Sequence, residues 1–350
     1  MNDKNLSKAA HNLLIDCAGL TQSDSLLIVR EQESLGWYKN DISEYILKSA
    51  EKIGINASLH EVGPPEISQS KDFFEKLNQF NCVIFFARLG DQNRFEEKGF
   101  TTKRVMSYVR DCNSLASIFG TLDYNLNIMV KDEIDKLIQD SNKVKISCPL
   151  GTNLTGDIIL DNSATKEVSV LRFPILVTKP VAARSFSGQV VLNNYLTSTG
   201  SRVYKPNFIK IKSEATILIE NGKITDILGN PEDVNNIYSH YNFVSQKFSI
   251  DKNAVHSWHP GIHPGTEDNN FYRHDPDKWS NTVFGQPKYL HFHTCGNYAP
   301  GEICWMIPDH TILIDAKPLW KNGKLMLKDF EQTKNLLKKY PSLKKVFSEN

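Results

Sequence analysis

Seven of the chain's ten histidines fall between His256 and His310. Five of them form two dense groups, His256-Ser257-Trp258-His259-Pro260-Gly261-Ile262-His263 and His291-Phe292-His293. Neutral imidazole is the commonest protein metal ligand, and its unperturbed pKa lies near neutrality. Clusters this dense point to metal binding or acid–base chemistry rather than packing. Residues 256, 259 and 263 are spaced by three and four, which on a helix would align them on one face. Pro260, Gly261, Pro264 and Gly265 oppose a regular helix, so an irregular loop is predicted. His291 and His293 stand two apart and would share one side of a strand. Together the groups offer three or more ligands to a divalent ion such as zinc, iron or manganese.

Other candidates are more isolated. His274 and His310 read as hydrogen-bonded structural groups. Cys295 reads as a soft ligand, a nucleophile or a small buried hydrophobe. Glu302 ends the turn Tyr298-Ala299-Pro300-Gly301-Glu302. It reads as a ligand, a general base or an exposed loop acid. Arg202 and Arg172 could grip a substrate carboxylate or lie on the surface. Arg88-Leu89-Gly90-Asp91 follows an apolar strand, where parallel sheets commonly bind ligands. Glycine-rich nucleotide loops and the serine-hydrolase elbow are missing from the sequence, so those chemistries lack support.

The elements that must position these residues fall into two textures. Residues 1–150 alternate helical patterns with short apolar strands such as Ser25-Leu26-Leu27-Ile28-Val29 and residues 82–87, which predicts a three-layer α/β domain. Residues 151–328 are rich in β-branched residues, glycine and proline, and predict a β-rich α+β domain carrying the histidines. Asn221-Gly222 and Asn322-Gly323 predict hairpin turns. Residues 329–350 predict a Lys-rich C-terminal helix with a solvated face. At 350 residues the chain suits two domains. A net charge of +1 disfavours nucleic acid or an anionic membrane as partner. The polar N-terminus and the lack of a long apolar run predict a cytoplasmic address without membrane partners. Six scattered cysteines predict reduced thiols.

The order of short motifs resembles that of the aminopeptidase T-like metallopeptidases, a family that also includes 2,5-dihydroxypyridine dioxygenase. The motifs are Leu13-Leu14-Ile15-Asp16-Cys17-Ala18-Gly19-Leu20 with Asp24-Ser25-Leu26-Leu27-Ile28-Val29, then Pro149-Leu150-Gly151-Thr152-Asn153-Leu154. Phe186-Ser187-Gly188-Gln189-Val190, Ile219-Glu220-Asn221-Gly222-Lys223-Ile224, Gly261-Ile262-His263-Pro264 and His291-Phe292-His293-Thr294-Cys295-Gly296 follow in order. The resemblance spans about residues 6 to 327. It implies the same fold, a divalent metal cofactor, a small peptide or small-molecule substrate, and a homodimer.

The resemblance also marks departures. The family's glutamate in its "GEV" segment falls at Gln189, and a second glutamate falls at Ser257. Its late His-x-Asp pair falls at Trp305 and Ile307; among its ligand positions, only His291 is matched directly. Glutamine provides no anionic bridge, and tryptophan and isoleucine do not ligate. The related dioxygenase uses one iron, but its His, His, Asp positions fall at Ser257, Trp305 and Ile307. The expectation is a relocated mononuclear site on His256, His259, His263, His291 and His293. Glu302 is the expected base, with Arg202 and Gln189 touching substrate. Hydrolysis of a small peptide or amide leads; an iron(II) dioxygenase and a metal-free binding protein are the alternatives.

Overall fold

The computed structural model describes residues 3–348 except 67–69, 93, 96–98, 160–167, 201–203, 269–273 and 298–300. Two compact units emerge, residues 1–129 with 168–176, and residues 130–167 with 177–350. The first is built on a five-stranded sheet ordered Asn56–Val62, Ser25–Glu31, Cys82–Phe86, Lys103–Ser107 and Leu171–Phe173. Every pairing in it is parallel. All five residues of Cys82–Phe86 are buried. A strand covered on both faces has no solvent side, which is why this one reads as an unbroken apolar run.

The second unit holds two antiparallel sheets. Eight strands run in the order Lys223–Gly229, Ala215–Glu220, Ser187–Leu192, Asn153–Asp157, Lys143–Ser147, Thr311–Ile314, Lys317–Lys321 and Lys324–Leu325. Six run Phe208–Lys210, Tyr195–Ser198, Ile303–Pro308, Tyr289–Thr294, Val255–Pro260 and Val181–Ala182. The chain is thus mixed α/β, a parallel sheet with helices followed by antiparallel sheets. No helix among the described residues is long and apolar enough to cross a membrane.

Several local expectations change. Lys143–Ser147 sits within residues expected to belong to the first domain, yet it pairs with Thr311–Ile314 and Asn153–Asp157. Leu171–Phe173 instead joins the parallel sheet through Lys103–Ser107. Partner strands, invisible to local composition, decide both. The expected C-terminal helix is two, Glu331–Lys339 and Pro341–Ser348, because the residue before a proline is pushed out of the helical region. Both Asn-Gly pairs turn hairpins with positive φ at each residue, 48° and 69° at Asn221 and Gly222, 50° and 75° at Asn322 and Gly323, as a two-residue turn with that hand requires.

The first histidine group is a loop only at its end: His256 and His259 lie on a strand, and His263 follows it in irregular chain. Val255–Pro260 is a fully buried interior strand between Tyr289–Thr294 and Val181–Ala182. Pro260 closes the strand beyond the two residues that pair with Val181–Ala182, so its missing N–H interrupts no rung there. Gly261 follows, donating to the Tyr289 carbonyl. A Cβ at Gly261 would stand 2.2 Å from the Gln286 carbonyl oxygen. Gly261→Ala is therefore expected to destabilise the protein by about 1–3 kcal/mol or more. Urea unfolding reads this directly, and an unchanged midpoint would contradict the close approach.

Candidate metal centre

Register decides which side chains meet. His259 lies directly opposite His291, and Ser257 opposite His293. On the next strand Met306 faces His291 and Cys304 faces His293. Directly opposed residues of antiparallel strands share a face, so these six side chains lie on one side of the sheet. The helix Pro276–Val283 covers that side: Ser280 Oγ is 2.9 Å from Thr197 Oγ1, and Trp279 and Val283 pack with Tyr289, Cys304 and Met306. Phe284 meets His291 edge-on, with ring centroids 6.0 Å apart. The opposite side carries Trp258, Phe292 and Trp305, mutually paired across strands. There Trp305 donates to the Tyr241 hydroxyl of the helix Pro231–Phe248 at 2.8 Å.

On the first side His259, His291 and His293 converge. All three are buried, and their ligand nitrogens lie within 4.8 Å of one another. The His259 and His291 rings are 3.8 Å apart between centroids. His259 Nε2 and His293 Nε2 are 2.8 Å apart. His259 Nδ1 meets the Thr178 carbonyl oxygen at 3.3 Å. A carbonyl only accepts, so the His259 proton resides on Nδ1 and the Nε2 lone pair points toward His293. Thr199 Oγ1 stands 3.4 Å from His293 Nδ1, with a hydroxyl that can accept the corresponding proton. Two facing imidazole nitrogens at this separation need a proton or a cation between them.

The residues fit a cation. Zinc–nitrogen bonds of about 2.0–2.1 Å in a tetrahedron separate ligand nitrogens by about 3.3 Å, within the spread seen here. Three neutral nitrogen donors suit zinc, iron or copper better than magnesium or calcium, which prefer oxygen.

His256 and His263 lie outside this group. His256 Nδ1 is 2.8 Å from Ser257 Oγ, and burial pushes its pKa down to about 4. His263 Nδ1 accepts from the Gly265 N–H at 3.1 Å, and the His263 backbone N–H donates to the Gly285 carbonyl. Burial pushes the His263 pKa down to about 3. Neither joins the converging group; both are held in the neutral state by the interior. Of the five histidines expected as ligands, three converge. Gln189 lies in the eight-stranded sheet and donates to the Gly151 carbonyl at 2.9 Å. Arg202 and the turn residues 298–300 lie outside the described residues.

Glu302 is not an exposed loop acid. It is 1 % exposed and directly precedes Ile303–Pro308. Its N–H donates to the Cys295 carbonyl, and its carbonyl accepts from Thr199 N–H and the Tyr204 hydroxyl. Cys295 is fully buried, and desolvation pushes its thiol up to about 12, which leaves it a protonated hydrophobe rather than a nucleophile. Trp305 and Ile307, where the resemblance set the missing His-x-Asp pair, point away from the histidines. Cys304 and Met306 occupy the facing positions on that strand. Sequence reasoning missed Thr178 and Thr199; a backbone carbonyl 81 positions before His259 leaves no sequence signal.

No known family's sequence profile matches the chain, and no curated protein matches it by sequence. Solved structures do match its fold. The 2,5-dihydroxypyridine dioxygenase of Pseudomonas putida KT2440 superposes with a TM-score of 0.65 at 12% identity, over 95% of this chain and 99% of that one. AmpT of Thermus thermophilus superposes with a TM-score of 0.55 at 9% identity, over 93% and 100%. These likenesses establish a shared fold.

Proposed function

We propose that the chain is a mononuclear metal-dependent enzyme whose centre is His259, His291 and His293. The observation that carries this reading is the convergence of three buried imidazoles, one oriented through Nδ1 by a backbone carbonyl. A divalent cation bound there supplies Lewis acidity that can bring the pKa of water to about 7, or, as iron, a redox site for dioxygen. The chain's own part is to hold neutral nitrogens in place and to exclude bulk water with Trp279, Phe284 and Met306. Hydrolysis of a small peptide or amide is the leading reaction. Glu302 is its proposed base, buried beside the strand that faces the histidines. The second reading is iron-dependent oxygen chemistry, supported by the fold likeness to a dioxygenase over 95% of the chain.

The test begins with elemental analysis of the purified protein, with one zinc, iron or manganese per chain as the expected result. Peptide or amide cleavage by the loaded protein supports hydrolysis. Oxygen consumption that needs both iron(II) and a dihydroxylated nitrogen heteroaromatic would select the second reading. A protein that holds no metal and refuses added zinc, iron and manganese would refute both and leave a binding protein.

A further inference from the structure

Asp135 and Lys131 form a buried ion pair on the helix Tyr124–Gln139, with Lys131 Nζ 2.8 Å from Asp135 Oδ2. Both are under a tenth exposed. Taking two charges out of water commonly costs more than their attraction returns, so the pair calls for a role besides packing. The other carboxylate oxygen, Oδ1, accepts the Lys179 backbone N–H at 2.8 Å. That N–H belongs to the same peptide unit as the Thr178 carbonyl, which holds His259 Nδ1. An amide that donates to an anion becomes a stronger acceptor at its oxygen, since hydrogen bonds in series polarise one another. A stronger acceptor pins the Nδ1 proton and raises the electron density at Nε2.

We propose that Asp135, balanced by Lys131, positions His259 through the Thr178–Lys179 peptide and thereby sets the cation affinity of the three-histidine centre. The proposal rests on the metal-centre reading above. Asp135 is a positioning residue, separated from His259 by one peptide unit. It does for this centre what a carboxylate bonded directly to a ligating histidine does in other metal sites, with an amide interposed.

The test uses the full chain. The double variants Lys131→Met/Asp135→Asn and Lys131→Met/Asp135→Leu remove the charges together, so neither partner is left buried alone. The first retains an acceptor for Lys179; the second removes it. Zinc affinity, measured by competition with a chromophoric chelator, is expected to fall about tenfold in the first and about 100-fold in the second, the range for loss of an outer-shell partner. A second readout needs no variant and no metal. Histidine-selective ¹⁵N spectra of the metal-free wild-type protein are expected to show His259 as the Nδ1–H tautomer. Equal zinc affinity in wild type and both variants, or an Nε2–H tautomer at His259, would overturn the relay while leaving the centre intact. Wild-type protein without zinc affinity would overturn the centre itself, and the relay with it. If both variants fail to fold, Asp135→Asn alone, with Lys131 still 3.6 Å from Asp132 Oδ1, takes their place in the zinc titration, and an affinity equal to that of the wild type overturns the relay.

Discussion

Replacing His291 with alanine is expected to weaken zinc binding well beyond the ~10–100-fold that loss of an outer-shell partner brings. His256→Gln and His263→Gln are expected to leave it within a few-fold of wild type. The contrast follows from the cross-strand register. His291 stands opposite His259 and beside His293 within the converging group, whereas His256 and His263 are engaged with Ser257 and Gly265. Removing one of three protein ligands from a small cation also opens a position to water, so any reaction at the centre should fall with affinity. Competition titration on each folded variant reads the difference. A His256 variant that loses zinc as fully as the His291 variant would redraw the ligand set.

Acid should unfold this protein early. His240, His263 and His310 are buried, and burial lowers their pKa values from 6.5 to about 4, 3 and 3. Below pH 6.5 the unfolded chain takes up a proton on each of these imidazoles while the folded chain does not. Stability is therefore full above about pH 6.5 and declines as pH falls toward the folded values. Each histidine contributes about 1.4 kcal/mol per pH unit across that window. Three acting together would exhaust a typical folding free energy of about 5–15 kcal/mol within a few units. Urea midpoints measured from pH 7 to pH 4.5 are expected to drop steeply.

His240 provides the control for this expectation. It lies against Tyr204 and Phe243, and neither ring nitrogen has a hydrogen-bond partner among the described residues. His240→Phe keeps the aromatic packing, removes one titrating group, and should flatten the decline. Midpoints that stay level from pH 7 to pH 4.5, or an unaltered slope in that variant, would show that other groups govern acid stability.

What the sequence disclosed depended on whether the signal was local. The Asn221-Gly222 and Asn322-Gly323 turns carry their own backbone preference, and the runs near Ser25–Glu31 and Cys82–Phe86 carry the mark of strands buried on both faces. His291 and His293 were legible as a pair because a period of two suffices. His259 was legible as a candidate but not in its place. Pro260 and Gly261 look like breakers from the sequence, whereas in the sheet they close a strand and admit a neighbouring backbone. The selection of three histidines from five required the register between Val255–Pro260 and Tyr289–Thr294, which no local preference encodes. Register likewise turns Trp305 and Ile307 to the far side, the two positions at which the family resemblance in the sequence sets the missing ligands. Thr178 and Asp135 are joined to His259 only through folding, one by a carbonyl and the other by a peptide N–H.

The three imidazoles project from two adjacent interior strands, each hydrogen-bonded on both flanks. A loop could release a bound ion by local breathing, on the timescale of its own excursions. Interior strands open only when much of the sheet opens. A cation bound there would therefore enter and leave more slowly than one held by a loop, and metal titrations of this protein would need long incubation to reach equilibrium.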